Sequence, residues 1–226
     1  MRQNIVVLSG SGLSAESGLP TFRDAAGLWK QYSWVELASP EGWAKQPGLV
    51  LEFYNERRAK AWRAQPNVAH VAIASLESQH DVIVITQNVD ALHERAGSTR
   101  VLHVHGELAF ARGTSPARRR YRIDGEPIRL GQTCEEGTQL RPDIVWFGEE
   151  TQHMAEAAEH VAAAHKVLVV GTSLSVYPAA GLVDAAADGA VKVLNSLEME
   201  SVPRGFEFRP GPATRVLPGL VAEWLA

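Results

Sequence analysis

The chain has 226 residues and only one cysteine, Cys134. One thiol excludes an internal disulfide, and it cannot supply the four ligands of a structural zinc site. A chain of this length buries enough apolar surface to fold without such cross-links. We therefore expect a fold held by its hydrophobic core, in reducing, cytoplasmic surroundings.

The sequence also lacks an excess of positive charge and any long apolar run. Its 22 Lys and Arg against 26 Asp and Glu give a formal net charge of -4, so nothing attracts it generally to nucleic acid or anionic lipid. No stretch approaches the ~20 apolar residues of a membrane helix, and a strand-like run follows Met1 almost directly. We expect no nucleic-acid partner, no membrane anchor and no signal peptide.

Short runs of valine, isoleucine and leucine alternate with longer helical patterns along most of the chain. Such continuous apolar strands are typical of a parallel sheet that helices cover on both faces, so the pattern predicts a doubly wound α/β fold. The expected strands are residues 5–8, 82–85, 101–104, 167–170 and 191–194. The expected helices cover about 49–63, 66–79, 91–96, 154–164 and 178–187, and Pro218 is expected to open a final short helix.

Two stretches interrupt this alternation. Residues 20–65 begin as a tryptophan-bearing loop with no convincing second strand, and residues 107–142 are polar and arginine-rich. Within the second stretch, residues 123–126 are predicted to form a hairpin turn between Tyr121 and Ile128. We expect one domain over residues 1–226: a core of about 1–19, 66–106 and 143–226, and a smaller module formed by the two insertions.

A glycine-rich turn follows the first predicted strand. Gly10, Gly12 and Ala15 fit the G-x-G-x-x-G/A dinucleotide pattern, and Ser14 is expected to cap a helix that begins near Ala15, with backbone N–H groups facing a phosphate. The pattern alone is weak, because a tight turn without a ligand has the same composition. An NAD-dependent oxidoreductase would carry an acidic residue at the end of a second strand ~20 residues on. Residues 20–23 read Pro-Thr-Phe-Arg instead, which disfavours that class.

Four blocks, in the same order, closely resemble the sirtuin family of NAD-dependent protein-lysine deacylases. They are residues 10–23, residues 86–97, His105-Gly106 and residues 171–173. The family usually has an alanine where Ser11 stands. The resemblance implies a Rossmann-like NAD domain and a reaction that consumes NAD: nicotinamide leaves, the acyl-lysine carbonyl oxygen attacks the sugar, and the acyl group ends on the ribose.

The resemblance also assigns roles to single residues. Asn88 and Asp90 would line the nicotinamide pocket, and Gln87 would hold the ribose hydroxyls. His105 would be the base, since imidazole titrates near neutral pH. The expected catalytic residues are therefore His105, Asn88 and Asp90. For His103 we favour an ordinary hydrogen-bonded side chain, because the residue at the strand end is the one that reaches the crevice.

Further residues are expected to bind NAD by similarity. Phe22 would shield the sugar from water, and Arg23 would lie near the phosphates. Asn195 would contact the adenosine ribose, although a plain strand-to-helix turn has much the same composition. The full expected set is Gly10, Ser11, Gly12, Ser14, Ala15, Phe22, Arg23, Gln87, Asn88, Asp90, Gly171, Thr172, Ser173, Asn195, Ser196, Leu197 and Ala213.

Tyr54 and Arg57 lie three residues apart on a predicted helix and share a face. Family members that prefer succinyl or malonyl groups carry a tyrosine and an arginine at this spacing. A guanidinium and a phenol together offer three donors to a carboxylate. The alternative is a solvated basic face, because Arg58, Lys60 and Arg63 follow.

The expected protein partner is an acylated lysine side chain. Residues 145–149 and 175–178 resemble the two edges between which sirtuins bind substrate as an inserted strand, so Val145, Phe147 and Gly148 are expected to contact it. An ordinary strand and loop would read the same way.

The second insertion departs from the family pattern. Most sirtuins hold zinc there with two cysteine pairs, whereas residues 107–142 contain only Cys134. We expect no metal site and a Cys134 that is exposed or half-buried. The arginine run at residues 118–122 is expected to be a solvated face, with docking of acidic partners as the alternative.

Two other functions stay open at this point. An ADP-ribosyltransferase would cleave NAD in the same way and pass the sugar to a protein or to water, but retention of His105 favours deacylation. A non-catalytic sensor of NAD or ADP-ribose would need Gly10 and Gly12 but neither Asn88 nor Asp90. The sequence does not predict the oligomeric state.

Overall fold

The computed structural model describes residues 2–21, 33–115 and 118–226. The strands are β1 Asn4–Ser9, β2 Asp81–Thr86, β3 Val101–His103, β4 Gly106–Gly113, β5 Arg120–Arg122, β6 Leu140–Ile144, β7 Lys166–Val170, β8 Val191–Ser196 and β9 Glu207–Pro210. The α-helices are α1 Ser11–Ala15, α2 Trp34–Leu37, α3 Pro40–Lys45, α4 Pro47–Arg63, α5 Val68–Ser75, α6 Leu92–Ala96, α7 Met154–Ala162 and α8 Ala213–Leu225. Two 3₁₀ helices span Leu76–Ser78 and Ala179–Ala185.

A six-stranded parallel sheet forms the core, in the order β3-β2-β1-β7-β8-β9. Successive side chains of β1 point to opposite faces. Ile5 and Val7 pack in one apolar cluster with α5 and α8, whereas Val6 and Leu8 pack in another with α7. Both faces are therefore covered, and the prediction of a doubly wound parallel sheet is confirmed.

A smaller antiparallel sheet in the order β5-β4-β6 lies apart from the parallel sheet. Helix α4 packs against it and contributes the buried side chains Phe53 and Tyr54. They meet Leu108 of β4, Ile144 of β6 and Trp146. Helix and small sheet thus share one apolar cluster, although the residue limits expected for the two insertions stay a prediction.

The turn expected at residues 123–126 is present, because the Glu126 N–H donates to the Ile123 carbonyl at 2.9 Å, but the strands around Tyr121 and Ile128 do not pair across it. Strand β5 pairs with β4 instead, with Tyr121 opposite Ala111. The Asn55 side chain satisfies both backbone groups of Ile128: its Nδ2 donates to the Ile128 carbonyl at 2.9 Å, and its Oδ1 accepts from the Ile128 N–H at 2.9 Å. A helix side chain therefore does what a partner strand would do.

Pro218 does not open the last helix. Helix α8 begins at Ala213 and contains Pro218 in its interior. A proline there removes one backbone hydrogen bond at a cost of roughly 3 kcal/mol. The helix offsets this cost by burying Leu217, Leu220 and Trp224 against the sheet. No helix in the described ranges is long and apolar enough to cross a membrane.

Candidate functional site

A cavity of about 670 Å³ lies at the carboxyl edge of the parallel sheet. Ligands of doubly wound sheets collect at this edge, and the volume is ordinary for a ligand pocket. Every predicted site residue in the described part of the chain lines the cavity. These are Gly10, Ser11, Gly12, Ser14, Ala15, Tyr54, Arg57, Gln87, Asn88, Asp90, His105, Val145, Phe147, Gly148, Gly171, Thr172, Ser173, Asn195, Ser196, Leu197 and Ala213. Phe22 and Arg23 lie outside the described residues.

The two glycine-bearing loops, after β1 and after β7, touch each other. The N–H of Gly10 donates to the Val170 carbonyl at 3.0 Å, and the N–H of Gly12 donates to the Gly171 carbonyl at 2.8 Å. A Cβ on Gly171 would lie 2.3 Å from the Leu13 nitrogen, so this approach requires glycine. These two N–H groups, expected at a phosphate, therefore join the loops that shape the cavity.

Ser14 does not cap a helix, which corrects the sequence prediction. Helix α1 begins at Ser11, with Gly10 in extended conformation as its N-cap, so Ser14 lies inside it. The Ser14 hydroxyl accepts from Asn88 Nδ2 at 3.0 Å and hydrogen-bonds the Asp90 carboxyl. It therefore links the two residues expected in the nicotinamide pocket.

Asn88 and Asp90 are both buried beside the cavity. Asn88 Nδ2 also donates to the Gly10 carbonyl at 3.1 Å. Burial raises the pKa of Asp90, while the Leu92 N–H, at 3.2 Å from Oδ1, and the Ser14 hydroxyl oppose the rise. Each side chain is thus fixed in one orientation at the end of β2.

His105 lies in the turn between β3 and β4 and lines the cavity. Its Nδ1 lies 3.2 Å from the Gln87 carbonyl oxygen, which can only accept, so Nδ1 carries the proton. Nε2 keeps its lone pair. Burial lowers the pKa of His105, and the Gln87 carbonyl opposes this only in part. The ring is neutral near pH 7 and can accept a proton.

Gly106 makes this turn possible. Its φ of +80° lies in the left-handed region, and a Cβ there would meet the Asp143 carbonyl oxygen at 2.1 Å. Only glycine lets β4 start beside β6 immediately after His105.

The opposite end of the cavity is formed after β7 and β8. Gln87 Nε2 donates to Thr172 Oγ1 at 3.2 Å, which joins this end to the His105 turn. Asn195 Nδ2 donates to the carbonyls of Arg209 and Gly211, at 2.8 and 3.1 Å. Asn195 Oδ1 is buried without a partner among the described residues. Asn195 thus holds the loop that leads to Ala213 and leaves a buried acceptor beside the cavity.

Tyr54 and Arg57 line the cavity from α4. Trp146 Nε1 donates to the buried Tyr54 hydroxyl at 3.1 Å, which leaves the phenol proton out of this bond. The Arg57 guanidinium lies 5.5 Å from the Phe53 ring centre, and no carboxylate of the described residues pairs with it. The alternative of a solvated basic face is wrong for Arg58, which is buried and donates to the Leu108 carbonyl at 2.7 Å. Burial lowers the pKa of Arg58 to about 10.

Residues 145–149 line the cavity but do not form the expected edge strand. Strand β6 ends at Ile144, and a turn follows in which the Glu149 N–H donates to the Trp146 carbonyl at 2.9 Å. The N–H groups of Val145 and Phe147 donate to the carbonyls of His105 and Ala38. These internal bonds and the Glu149 carboxylate, which accepts from the Trp146 N–H at 2.9 Å, hold the turn closed.

Buried ion pairs brace this turn and the small sheet. Arg141 pairs with Glu149 at 2.7 and 3.0 Å and stacks on the Trp146 ring. Arg112 pairs with Glu149 and with Asp143. Four charged groups therefore join β4, β6 and the turn.

Of two expectations for the second insertion, the one for Cys134 is wrong, whereas the arginines of residues 118–122 are exposed, as expected. Cys134 is buried, at 8% exposure, in an apolar cluster with Ala111 and Leu140. The arginine run is not merely solvated, because Arg120 pairs with Glu107 and Asp143, each at 2.5 Å. Strand β5 brings Arg120 beside these carboxylates. The amino-acid composition of the segment could not predict this pairing.

One group of potential metal ligands occurs in the described part of the chain. Glu94, His103 and Glu107 bring one candidate atom each within 4.8 Å of one another. Both ring nitrogens of His103 are already hydrogen-bonded, to the Asn88 carbonyl and to Glu94. These two hydrogen bonds and the Glu94 carboxylate account for the ring without an ion. His103 is hydrogen-bonded, as the sequence predicted.

Some cavity residues were not predicted. Gly211 and Pro212 precede Ala213 at the cavity, and a Gly-Pro pair is a turn signal that would have suggested them. Ala38 lines the cavity from the loop before α3 and carries no sequence signal.

Comparison with known proteins identifies the family of this chain. Residues 10–178 match the sequence model of the Sir2 family. An NAD-dependent protein deacylase of Helicobacter pylori strain J99 is 52% identical over 180 residues, which cover 80% of this chain and 76% of that protein. One of Vibrio cholerae is 44% identical over 233 residues, with 99% and 94% covered. A crystal structure of a Sir2 homologue–NAD complex is 39% identical, with a TM-score of 0.87 over 97% of this chain and 88% of that one. The chain belongs to the Sir2 family.

Proposed function

We propose that this chain removes succinyl or malonyl groups from lysine side chains of proteins and retains deacetylase activity. As a Sir2 protein whose relatives are named NAD-dependent protein deacylases, it is an NAD-dependent protein deacylase, with NAD as co-substrate. We propose in addition which acyl group the enzyme removes, which residues bind NAD and catalyse the reaction, and where the acylated peptide binds.

The hydrogen bond between His105 Nδ1 and the Gln87 carbonyl is the observation that supports the proposed catalytic role of His105. In the reaction, NAD loses nicotinamide and its ribose receives the acyl group of the lysine. The chain must supply a base for a ribose hydroxyl, and a ring with Nδ1 held by the Gln87 carbonyl presents Nε2 for that proton. The ring is neutral near pH 7 because burial lowers its pKa.

Asn88 and Asp90 are proposed to hold the nicotinamide end of NAD. Their amide and carboxylate are buried, prearranged by Ser14, and close to the His105 turn through Gln87. Groups fixed before binding need little reorganisation during the reaction. The buried Asn195 Oδ1 is an acceptor that suits a ribose hydroxyl at the other end.

Arg57 is proposed to bind the carboxylate of the acyl group. Its guanidinium faces the cavity without a carboxylate partner among the described residues, and the nearby Tyr54 hydroxyl keeps a proton to donate. Charge-assisted hydrogen bonds of this kind strengthen in a site that excludes water. An acetyl group has no carboxylate, so it gains nothing from this pair.

Comparing acyl peptides tests this proposal. We expect Arg57→Met to lower kcat/KM for a succinyl-lysine peptide by about 10²-fold, the loss of one buried charged hydrogen-bond pair of ~3 kcal/mol. Turnover of the acetyl peptide should change by less than about threefold. Lys60→Met is the matched control, because Lys60 lines the same cavity one turn further along α4. Equal losses on both peptides in Arg57→Met would defeat the acyl assignment.

We infer further that the protein acts in the cytoplasm. The support is the single cysteine, which suits a reducing compartment. Residues 145–148 and 176–178, which line the cavity, are proposed to contact the acylated peptide, whose lysine enters the cavity.

A further inference from the structure

His103 makes two hydrogen bonds that require a charged ring. Its Nδ1 lies 2.9 Å from the Asn88 carbonyl oxygen, and its Nε2 lies 2.7 Å from a carboxylate oxygen of Glu94. A carbonyl can only accept, and so can an ionised carboxylate, so both ring nitrogens must donate. His103 is therefore an imidazolium, whereas His105, two residues later, is neutral.

The charges around the ring agree with this state. Burial lowers the pKa of His103, but Glu94 of α6 and Glu107 of β4 outweigh burial, and the net pKa is raised above its usual value. Burial raises the pKa of Glu94, and the His103 ring outweighs that as well, so Glu94 is ionised. The other titratable groups that interact with the ring are Asp90, which is buried, and His93, which burial keeps neutral.

The His103 ring fixes the peptide group of Asn88. Among the described residues, this ring is the donor to the Asn88 carbonyl oxygen. The Asn88 N–H donates to Thr86 Oγ1, and its side chain donates to Gly10 and Ser14. Without the ring, the carbonyl of a buried residue would lose its partner, and the peptide group between Asn88 and Val89 could rotate, which would shift the Asn88 side chain and the chain that leads to Asp90.

We propose that the charged His103–Glu94 pair is a positioning device for NAD: it holds residues 88–90 in the orientation that binds the nicotinamide end, and it releases them when the ring loses its second proton. This inference rests on the proposed role of Asn88 and Asp90. His103 does not line the cavity, so it acts through them.

The sign of the pH dependence follows from the raised pKa. A neutral ring can donate only one of its two hydrogen bonds. Its remaining proton stays on Nε2, facing the ionised Glu94 carboxylate, because that charge-assisted bond is the stronger, so the bond to the Asn88 carbonyl is lost. The device is therefore complete below the usual histidine pKa and is lost as pH rises through the higher folded value. The affinity for NAD should fall on the alkaline side. His105 is already neutral there, because its pKa is lowered, and does not contribute to the fall.

NAD binding without peptide, measured by calorimetry from about pH 6.5 to pH 9.5, tests the device without turnover. We expect wild-type affinity to fall about tenfold over this range. In Glu94→Gln a neutral ring can donate from Nδ1 and accept at Nε2 from the amide of the introduced glutamine, so the fall should disappear. His103→Ala should bind weakly at every pH. His160→Gln, which removes a surface ring beside Glu156, is the control and should behave as wild type.

Nitrogen-15 NMR of histidine-labelled protein reads the charge directly. We expect two protonated ring nitrogens on His103 at pH 7.5 or so, and one in Glu94→Gln. A neutral His103 at that pH, a flat wild-type binding curve, or a fall that persists in Glu94→Gln would each overturn the inference. Neither readout needs a reaction product. If the proposed catalytic roles were wrong, the protein would still bind NAD but would not transfer the acyl group, so the two failures can be told apart.

Discussion

Two histidines two residues apart are held in opposite charge states. His105 donates to one carbonyl and is neutral, whereas His103 lies between a carbonyl and a carboxylate and is charged. The difference comes from their partners, since both rings are largely removed from water. One ring can accept a proton during the reaction, and the other cannot.

The neutral state of His105 predicts an acidic limb in the rate profile. Burial lowers the pKa of His105 below the usual 6.5, so the rise of kcat/KM with pH should be centred below the usual histidine value. A pH series of kcat/KM for wild-type enzyme measures it. A limb centred above the usual histidine value would contradict the assignment, and His105→Ala should lose about 10³-fold at every pH.

At the residue scale, the sequence indicated which residues line the cavity better than it indicated which other residues they contact. His105 was predicted because it follows an apolar run within a family motif, and both signals are local in the sequence. The role of Ser14 was missed, because its partners Asn88 and Asp90 are more than seventy residues away. A short polar residue near a helix start is typical of a cap. Only the fold shows that this helix begins at Ser11, three residues before Ser14.

The elements of the core were predicted because their signals are periodic. Strands β1, β2, β7 and β8 are continuous apolar runs, and α4 and α5 lie where the sequence placed them. The small sheet was missed because its strands carry many charged residues, and the ion pairs that join it bring together residues far apart in sequence, such as Arg112 and Glu149. A run of charged residues reads as a solvated surface until its partners are known.

The turn at residues 145–149 depends on the Glu149 carboxylate, so Glu149→Gln should destabilise the protein. An isosteric amide still accepts from the Trp146 N–H, but it leaves Arg141 without a partner charge and Arg112 with Asp143 alone, at a cost of about 3 kcal/mol. Urea unfolding at pH 7 or so measures this. Glu135→Gln, which breaks an exposed pair with Arg119, is the control and should cost less than about 1 kcal/mol.

At acidic pH, wild type and Glu149→Gln should have the same free energy of unfolding. Burial raises the pKa of Glu149, but Arg141 and Arg112 outweigh burial and lower it overall. The stability that this group contributes is present above the unfolded glutamate pKa of ~4.3 and is lost as pH falls through the lower folded value. A gap between the two proteins that stays constant in acid would contradict the ion-pair role.

On the scale of the whole molecule, the small sheet and its ion pairs belong to a chain with a single thiol. We predict that protein purified without added metal contains far less than one zinc per chain, because Cys134 is the only thiol and is buried. A chelator should leave the unfolding temperature unchanged. Elemental analysis that finds stoichiometric zinc, or a chelator that lowers the unfolding temperature, would show that a metal supports this sheet.

The most direct test of the account is mass spectrometry of a succinyl-lysine peptide incubated with NAD and the enzyme. The arrangement of His105, Asn88 and Arg57 around one cavity predicts free lysine peptide, nicotinamide and succinylated ADP-ribose in equal amounts, and about 10³-fold slower formation of them with His105→Ala. An ADP-ribosylated peptide, or unchanged peptide despite bound NAD, would contradict it.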